Sequence, residues 1–300
     1  MSPKVSVIIV NYNAGEDLAQ CVQTVGRTEV DLEILVVDND SRDGSIQLLQ
    51  EHYKEKWPLK ILLNQKNSGF AVACNQGSKA AAGEYLFYLN PDCIIEPSTI
   101  PVLLQCLQNT ARVGMVGGLI LNDDGTEQRG CRRDVPTPWK SFVNTFGLKH
   151  LVRFNHRLFS DFRLDRTPMP DRAVEVDAIS GACMMVSKEA FDDVGPLDEK
   201  YFLHCEDLDW CMRFRMNQWK IMFEPNARLF HHKGRCSASR PIFVEWSKHK
   251  GMVRYYRKFF THQYPLVMMW LVWCGIWFRF GLLAVKHTLG KMFGAGQRCE

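Results

Sequence analysis

The stretch Glu84-Tyr-Leu-Phe-Tyr-Leu89, followed at once by Asn90-Pro91-Asp92, decides the fold that we expect for this chain. Its aromatic and aliphatic run, bounded by a glycine and by Asn-Pro, is typical of a buried strand. Asp92 would then lie just beyond the carboxyl end of a central strand, which is where open α/β sheets bind ligands. A fixed carboxylate there suits a hard divalent ion, and such an ion suits a diphosphate. On these three residues alone a simple turn is the better interpretation, so the rest of the chain must decide.

Three more apolar runs precede this one and have the composition of strands: Val5–Val10, Glu33–Val37 and Leu59–Leu63. A helical pattern follows each run, and strands that alternate with helices predict an α/β fold with a mostly parallel sheet. Polar loops come directly after the four strands. In a parallel arrangement these loops gather at one edge of the sheet, at residues 11–13, 38–41, 64–69 and 90–92.

Two residues of these loops allow two interpretations each. Asp38 is placed to accept hydrogen bonds from a ribose or a base edge, or to cap the helix that begins near Ser45. Gly69 either lets the backbone approach a ligand or only turns the chain.

The regular pattern stops between Asn122 and Arg172, which we interpret as a long loop or helical excursion. Three arginines in this segment could meet phosphate or simply be solvated: Arg129, Arg132 and Arg133. Regularity returns in Val176–Val186, a strand, a tight point and a second strand. Gly181 at the tight point suggests a close approach to a ligand or a bulge.

Two adjacent carboxylates, Glu206 and Asp207, begin an amphipathic helix that runs to about Met216. Acidic side chains in a first turn are favoured by the helix dipole, which is the simple interpretation. The alternative is that one of them is a general base aimed at an acceptor hydroxyl.

After this helix we expect a strand at Lys220–Glu224 that turns at Pro225-Asn226 into a second strand, Ala227–Phe230. His231, at the end of that second strand, is a possible metal ligand or phosphate contact.

The last seventy residues form a basic and hydrophobic tail. Residues 231–300 carry 12 Lys and Arg against 2 acidic residues. A basic amphipathic helix is predicted from about Phe243 to Phe260, followed by the apolar run Leu266–Val285, whose one charge is Arg279. The length of that run fits a membrane span, and its flanks and tryptophans also fit a helix lying in the headgroup layer.

The composition restricts the remaining classes. The chain has 11 cysteines and no CxxC pair, which we interpret as reduced core residues of a cytosolic protein. The N-terminus runs straight into a strand, so we expect no signal peptide. The basic tail comes with no nucleic-acid motif, so we expect an anionic membrane rather than a nucleic acid as its partner.

Taken together and in order, these motifs resemble inverting family 2 glycosyltransferases of the GT-A fold, and within them the branch of bacterial rhamnosyltransferases that build O-antigen and other surface polysaccharides. The resemblance covers about residues 4 to 235. The motifs that carry it are Val7–Asn13, Val36–Ser41, Asn67–Ala71, Leu89–Asp92, Ser180–Cys183, Phe202–Asp209 and His231-His232.

The resemblance implies roles for individual residues. Asp92 would coordinate Mg²⁺ or Mn²⁺ on the sugar diphosphate, with His231 as a second protein contact, and Asp207 would be the base with Glu206 beside it. The common family motif is Asp-x-Asp, whereas this chain has Asn90 at the first position, a form frequent in the rhamnosyl branch. The residues that would bind the nucleotide are Asn11, Asn13, Asp38, Asn39, Asp40, Gly69 and Asn90.

The resemblance also implies a function. We expect an enzyme that moves L-rhamnose from dTDP-L-rhamnose onto a polyprenyl diphosphate-linked saccharide at the cytoplasmic face of the membrane, as a peripheral or single-span protein. We expect residues 1–235 to be the catalytic domain, with an irregular insertion at 122–172, and residues 236–300 to be a membrane-association region. The alternatives are another nucleotide sugar, a hydrolase that releases free sugar, and a non-catalytic nucleotide-sugar or glycan-binding membrane scaffold.

Overall fold

The computed structural model describes residues 4–53, 57–145, 164–165, 167–232 and 240–294. The chain divides into two compact units. The first comprises Met1–Val135, Arg163–Phe202 and Glu206–Cys236, and the second comprises Pro136–Phe162, Leu203–Cys205 and Ser237–Glu300.

The first unit begins with strands and helices in strict alternation. Its elements are β1 (Val5–Asn11), α1 (Glu16–Val25), β2 (Leu32–Asp38), α2 (Ser45–Tyr53), β3 (Leu59–Leu63), α3 (Phe70–Ala80) and β4 (Tyr85–Leu89). All seven residues of β1 are buried, as its unbroken apolar composition predicts for a strand covered on both faces. Strands β3, β2, β1 and β4 are neighbours in that order, and all of these pairs are parallel.

The second half of this unit completes the sheet. Its elements are β5 (Cys93–Ile95), α4 (Thr99–Asn109), β6 (Val113–Leu121), β7 (Arg132–Arg133), β8 (Val174–Glu175), β9 (Ala178–Ile179), β10 (Cys183–Ser187), α6 (Lys188–Val194), α7 (Glu206–Met216) and β11 (Lys220–His231).

The full sheet has nine strands in the described part of the chain, in the order β3-β2-β1-β4-β10-β6-β11-β5, with β8 paired to β11. Strand β10 is inserted antiparallel between β4 and β6. Strands β6 and β11 run in the same direction as the first four, so the sheet is mostly parallel. The predicted α/β class with a mostly parallel central sheet is therefore confirmed.

One local prediction is wrong. The sequence around Pro225-Asn226 predicts a turn between two strands, but β11 is one long strand with an irregularity in its pairing to β6 between Glu224 and Arg228. The carboxylate of Glu224 accepts hydrogen bonds from the backbone and side-chain nitrogens of Asn226, both at 3.0 Å. These bonds stabilise the bulge, which absorbs the extra residues while the strand continues.

The described part of the second unit is helical. It contains α5 (Pro138–Thr145), α8 (Pro241–Phe260) and α9 (Leu266–Gly294). The α8 and α9 helices pack against each other along their length: Arg257 lies over the ring of Trp273 at 4.6 Å, and His249 lies 5.6 Å from Phe280. A hydrogen bond between the hydroxyls of Ser141 and Tyr256 joins α5 to α8.

The glycine before α3 gives a test of the fold. Gly69 has φ 96° and ψ 166°, and an added Cβ would lie 2.7 Å from the carbonyl oxygen of Phe202. We expect Gly69→Ala to cost the backbone strain and the contact with a main-chain atom together, on the order of 2–4 kcal/mol of unfolding free energy. Chemical denaturation at equilibrium measures this loss.

Gly125→Ala is the matched control, because Gly125 also has a positive φ, 78°, but among the described residues nothing lies within 4 Å of an added Cβ. That variant should show only the cost of the positive φ, about 1–2 kcal/mol. Equal losses in the two variants would contradict the close approach of residues 69 and 202.

Candidate active site at the carboxyl edge of the sheet

The first two strand ends are joined by a buried hydrogen-bond cluster. Asn11 and Asp38 are partners in the register of β1 and β2, and both are buried. The side-chain nitrogen of Asn11 donates to Asp38 Oδ1 at 2.7 Å and also lies 2.9 Å from the hydroxyl of Ser45. The other carboxylate oxygen of Asp38 accepts from the backbone of Ser41 at 3.0 Å. Asp38 therefore fixes the loop after β2, and it is Asp43, not Asp38, that accepts from the backbone nitrogen of Ser45 at the start of α2.

The neighbouring loop residues join this cluster to the third strand end. The side-chain nitrogen of Asn39 donates to the carbonyl of Gly69 at 3.2 Å, and Asn64 donates to Asn39 Oδ1 at 2.9 Å. Asn13 and Asp40 both have positive φ, at 54° and 65°. The structure thus gathers the residues that the sequence proposes for nucleotide binding along one continuous edge.

The fourth strand end carries the strongest candidate for a cation site. Asp92 Oδ1 lies 3.1 Å from Nε2 of His231, and both side chains are buried. Asn90 lies on the same side, with its Nδ2 at 3.4 Å from that imidazole nitrogen. The pairing of β5 with β11 brings the two segments together, since Cys93 and His231 are register partners.

The two ligand atoms have the spacing that a divalent ion requires. Neighbouring corners of an octahedral ion with bonds of about 2.1 Å lie about 3 Å apart, which matches the distance between Asp92 and His231. Cys93 also lies within 4.8 Å of this group. Burial raises the pKa of the Cys93 thiol well above its ordinary value, and its sulfur faces the carbonyl of Ala182. The thiol therefore stays protonated, and Asp92 and His231 fit the ion as its protein ligands.

At the start of α7 the two adjacent carboxylates have different surroundings. Asp207 Oδ2 lies 2.5 Å from the guanidinium of Arg133 and accepts from the backbone nitrogen of Gly181 at 3.2 Å. Burial by itself raises the pKa of Asp207, but the Arg133 charge and these hydrogen bonds together hold it below its ordinary value. Asp207 is consequently a fixed, ionised carboxylate.

Glu206 is in the opposite state. Burial, and then the negative charge of Asp207, raise the pKa of Glu206 to about 8. Its Oε2 is buried and has no hydrogen-bond partner among the described residues. Glu206 is therefore a neutral carboxylic acid at neutral pH, able to donate a hydrogen bond rather than to accept a proton.

One short segment links the cation site to Asp207. The carbonyl of Ala182 accepts from the backbone nitrogen of Asn90 at 3.1 Å, while the preceding residue, Gly181, donates to Asp207. An added Cβ at Gly181 would lie 3.3 Å from Cβ of Asp207, so glycine permits this approach. The two acidic groups that lie 115 positions apart in sequence thus flank one turn of the chain.

The sequence pointed to most of these residues but not to their partners. Arg132, one of the arginines considered for phosphate, is buried and ion-paired with Glu127 at 3.0 Å. Arg133 pairs with Asp207, and Gln128, which bonds His231, carried no signal in the sequence. Both contacts arise between segments far apart in the chain.

A mostly parallel sheet whose polar loops meet at one edge, with a carboxylate and an imidazole that fit a cation and a separate ionised carboxylate, is the arrangement of a nucleotide-sugar-dependent transferase of the GT-A type. The chain belongs to glycosyltransferase family 2, whose model matches residues 6–195.

Among curated relatives, the N-acetylglucosaminyl-diphospho-decaprenol L-rhamnosyltransferase of Mycobacterium tuberculosis is 28% identical over 263 residues, which cover 84% of this chain and 83% of the relative. A solved structure of GalNAc-T7 with UDP, GalNAc and Mn²⁺ superimposes with a TM-score of 0.62 at 18% identity, over 85% of this chain and 48% of that one. The mannosyltransferase PcManGT of Pyrobaculum calidifontis, in complex with GDP-Man and Mn²⁺, gives a TM-score of 0.59 at 14% identity, over 92% and 69% of the two chains. At these identities the structural likeness shows the shared fold.

The raised pKa of Glu206 predicts a pH dependence of stability. Folding takes up a proton at this carboxyl. The contribution of Glu206 to the free energy of unfolding is therefore complete below the ordinary carboxyl pKa range and is lost as the pH rises through about 8. We expect Glu206→Gln to remove that loss, so that between about pH 6 and pH 9 the variant gains on the order of 2–3 kcal/mol relative to the parent chain.

Denaturant titrations of both proteins across this pH range measure the gain. Glu189→Gln is the control, because Glu189 lies in the first turn of α6 but is exposed. Parallel stability–pH curves for Glu206→Gln and the parent chain would show that Glu206 ionises normally in the folded protein.

Proposed function

We propose that this enzyme transfers L-rhamnose from dTDP-L-rhamnose, with inversion, onto a saccharide linked to a polyprenyl diphosphate, in the synthesis of a cell-surface polysaccharide. The observation that carries the proposal is the turn at Gly181 and Ala182, which contacts the Asp207 side chain on one side and Asn90, two residues from Asp92, on the other. A donor diphosphate held at Asp92 and an acceptor hydroxyl at Asp207 would then be neighbours. We further propose that residues 1–235 form the catalytic domain and residues 236–300 the membrane-association region.

Asp207 is proposed as the base that acts on the acceptor. As the acceptor oxygen bonds to C1 of the sugar, its proton passes to the Asp207 carboxylate, and the C1–oxygen bond to the diphosphate breaks with its electron pair going to the phosphate. Positioned bases of this kind typically contribute about 10²–10⁴-fold to the rate. Attack from the face opposite the leaving group inverts the configuration at C1. Arg133 keeps Asp207 ionised, and the hydrogen bond from the backbone nitrogen of Gly181 helps to fix the orientation of the carboxylate.

Asp92 and His231 are proposed to hold Mg²⁺ or Mn²⁺ against the diphosphate. When bound, the ion would supply positive charge to the departing phosphates. The nucleotide would lie along the loops that follow β1, β2 and β3, where Asn11, Asp38 and Asn39 set the backbone. The protein's own contribution here is a rigid set of polar groups, which needs no rearrangement as charge develops.

The choice of rhamnose depends on the extent of similarity to a relative with that activity. The mycobacterial rhamnosyltransferase matches over 263 residues, which cover 84% of this chain. The cholesterol galactosyltransferase of Borreliella burgdorferi is 37% identical, but over 101 residues, 33% of this chain. A match of that length reaches only part of the fold, so it says little about the acceptor side.

The transfer itself tests the base. We expect Asp207→Asn to lower rhamnosyl transfer to a lipid-linked saccharide by about 10²–10⁴-fold, because the amide cannot take the proton. Thermal stabilisation by dTDP-L-rhamnose with Mn²⁺ should persist in the variant and exceed that by UDP-GlcNAc or GDP-mannose. Asp192→Asn, an exposed aspartate of α6, is the control and should keep full turnover.

Three results would contradict this proposal in different ways. Turnover at the parent rate in Asp207→Asn would remove that residue as the base. Release of free sugar without an acceptor would favour a hydrolase. Donor binding without turnover on any acceptor would favour a binding scaffold.

The helices α8 and α9 are proposed to attach the enzyme to the membrane where its acceptor lies. The segment Leu266–Leu289 of α9 is long and apolar enough to cross a bilayer. Within it, 17% of the apolar 18-residue stretch is buried. One stripe of α9, comprising Met269, Val272 and Ile276, is buried. The exposed residues of α9 include Leu266, Val267, Trp270, Leu271, Phe278, Leu282 and Val285.

The contacts between the two helices favour a position on the membrane surface. α8 carries five Lys and Arg and one Glu, and its Arg257 lies over Trp273, close to the middle of the apolar run of α9. A spanning α9 packed in this way would bring that charge into the hydrocarbon, where it is costly. Lying flat, α9 buries its exposed apolar face while the α8 cations meet anionic headgroups.

Binding to lipid vesicles tests this placement. We expect the full chain to float with vesicles that contain phosphatidylglycerol, more than with neutral vesicles, and to be released by high salt and carbonate because it does not span the bilayer. Phe278→Glu should weaken binding by about tenfold or more, since it places a charge in the apolar face.

Leu63→Glu provides the control, because Leu63 is also an exposed apolar side chain but lies in β3 of the first unit. It should leave vesicle binding unchanged. Resistance of the parent chain to carbonate extraction would indicate a spanning helix instead.

A further inference from the structure

Gln128 lies behind the cation site and makes three hydrogen bonds there. It is buried, and its Oε1 lies 2.7 Å from Nδ1 of His231. Its Nε2 donates to the backbone carbonyl of His231 at 3.2 Å and to Oδ1 of Asn122 at 3.2 Å. The loop after β6 brings it to this place, since the backbone of Gln128 donates to the carbonyl of Ile120.

The orientation of the Gln128 amide is settled by its backbone partner. A carbonyl oxygen can only accept, so the amide atom that faces the His231 carbonyl must be the NH₂ group. The other end of the same amide, which faces the imidazole, is then the oxygen, and it can only accept.

The tautomer of His231 follows from this orientation. An oxygen at 2.7 Å from Nδ1 requires a hydrogen on Nδ1, because two acceptors at that distance repel. In the neutral imidazole the other nitrogen, Nε2, then has no hydrogen and presents its lone pair. That lone pair faces Asp92 Oδ1 at 3.1 Å, a pairing of two electron-rich atoms that a cation between them would stabilise.

We propose that Gln128 is a positioning residue that holds His231 as the Nδ1–H tautomer and so keeps the cation site between His231 and Asp92 ready for a divalent ion. The inference rests on the proposed role of these two residues as metal ligands. With the opposite tautomer, Nε2–H would donate to Asp92, and that hydrogen bond would use both ligand atoms and compete with the ion. Acting through His231, Gln128 would raise metal affinity without touching the ion or the sugar.

The tautomer is directly measurable in the full chain. Long-range ¹H–¹⁵N spectra of protein labelled at histidine distinguish Nδ1–H from Nε2–H, and His231→Gln identifies the His231 signal among nine histidines. Without metal, and at a pH at which the spectrum shows a single hydrogen on the His231 ring, we expect the Nδ1–H form. A wild-type spectrum with the hydrogen on Nε2 overturns the inference, whatever any variant does.

Two substitutions separate positioning from simple structural support. Gln128→Met removes the acceptor on Nδ1 and should shift His231 toward Nε2–H and weaken Mn²⁺ binding, measured by electron paramagnetic resonance with dTDP present, by about 10–100-fold. Gln128→Glu keeps an acceptor on Nδ1 but loses both donated bonds, so it should lower the melting temperature and still keep the Nδ1–H form. Gln105→Met, at an exposed position of α4, should change neither.

The remaining outcomes also decide the question. If Gln128→Met keeps the Nδ1–H form and wild-type Mn²⁺ affinity, Gln128 is only structural. If the tautomer is lost to the same degree in both Gln128 variants, loss of structure explains it and the inference fails. If Gln128→Met does not fold, the wild-type spectrum and Gln128→Glu decide it. If the parent chain and Asp92→Ala bind Mn²⁺ equally weakly, the proposed metal site fails, whereas a wrong tautomer with intact Mn²⁺ binding refutes the inference alone.

Discussion

The antiparallel pairing of β10 with β4 is the interaction on which the candidate site depends. The Cys183–Leu89 pair closes this ladder at the end where β4 gives way to Asn90 and Asp92. The turn that precedes β10 is therefore held against Asn90 by a backbone hydrogen bond, and its glycine meets Asp207. Because an inserted antiparallel strand enters the sheet from the edge where the parallel strands end, it brings residues from the second half of the chain to the loops of the first.

Two neighbouring acidic residues at the carboxyl edge of the sheet have different charge states. Glu206 and Asp207 are adjacent and buried, yet the pKa of Glu206 is raised and that of Asp207 is lowered. The difference comes mainly from one guanidinium, because Arg133 pairs with Asp207 and leaves Glu206 with burial and a like charge as its main influences. Two carboxyls with opposite charge states offer a hydrogen-bond donor and an acceptor within one turn of helix, and the function that we propose needs both.

Much of the fold could be read from local patterns. The sequence predicts β3 at Leu59–Leu63 and α7 at Glu206 to about Met216, and the observed bounds agree, because apolar periodicity and flanking polar residues are local signals. The four polar loops meet at one edge because the first four strands are parallel. The turn expected at Pro225 is absent from the described β11, since sheet pairing on both sides overrides the local preference of Pro-Asn.

What the sequence by itself determined is the alternation of strands and helices and the polar residue types that end each strand, since both depend on neighbours in the chain. The tertiary structure decided which of those residues meet: Asp92 with His231, Asp207 with Arg133, and His231 with Gln128. These contacts set the ionisation and the tautomer at the site, and they join residues that lie between 74 and 139 positions apart in the chain. Charge and hydrogen bonding act through space over a few ångströms, so only the folded chain could specify them.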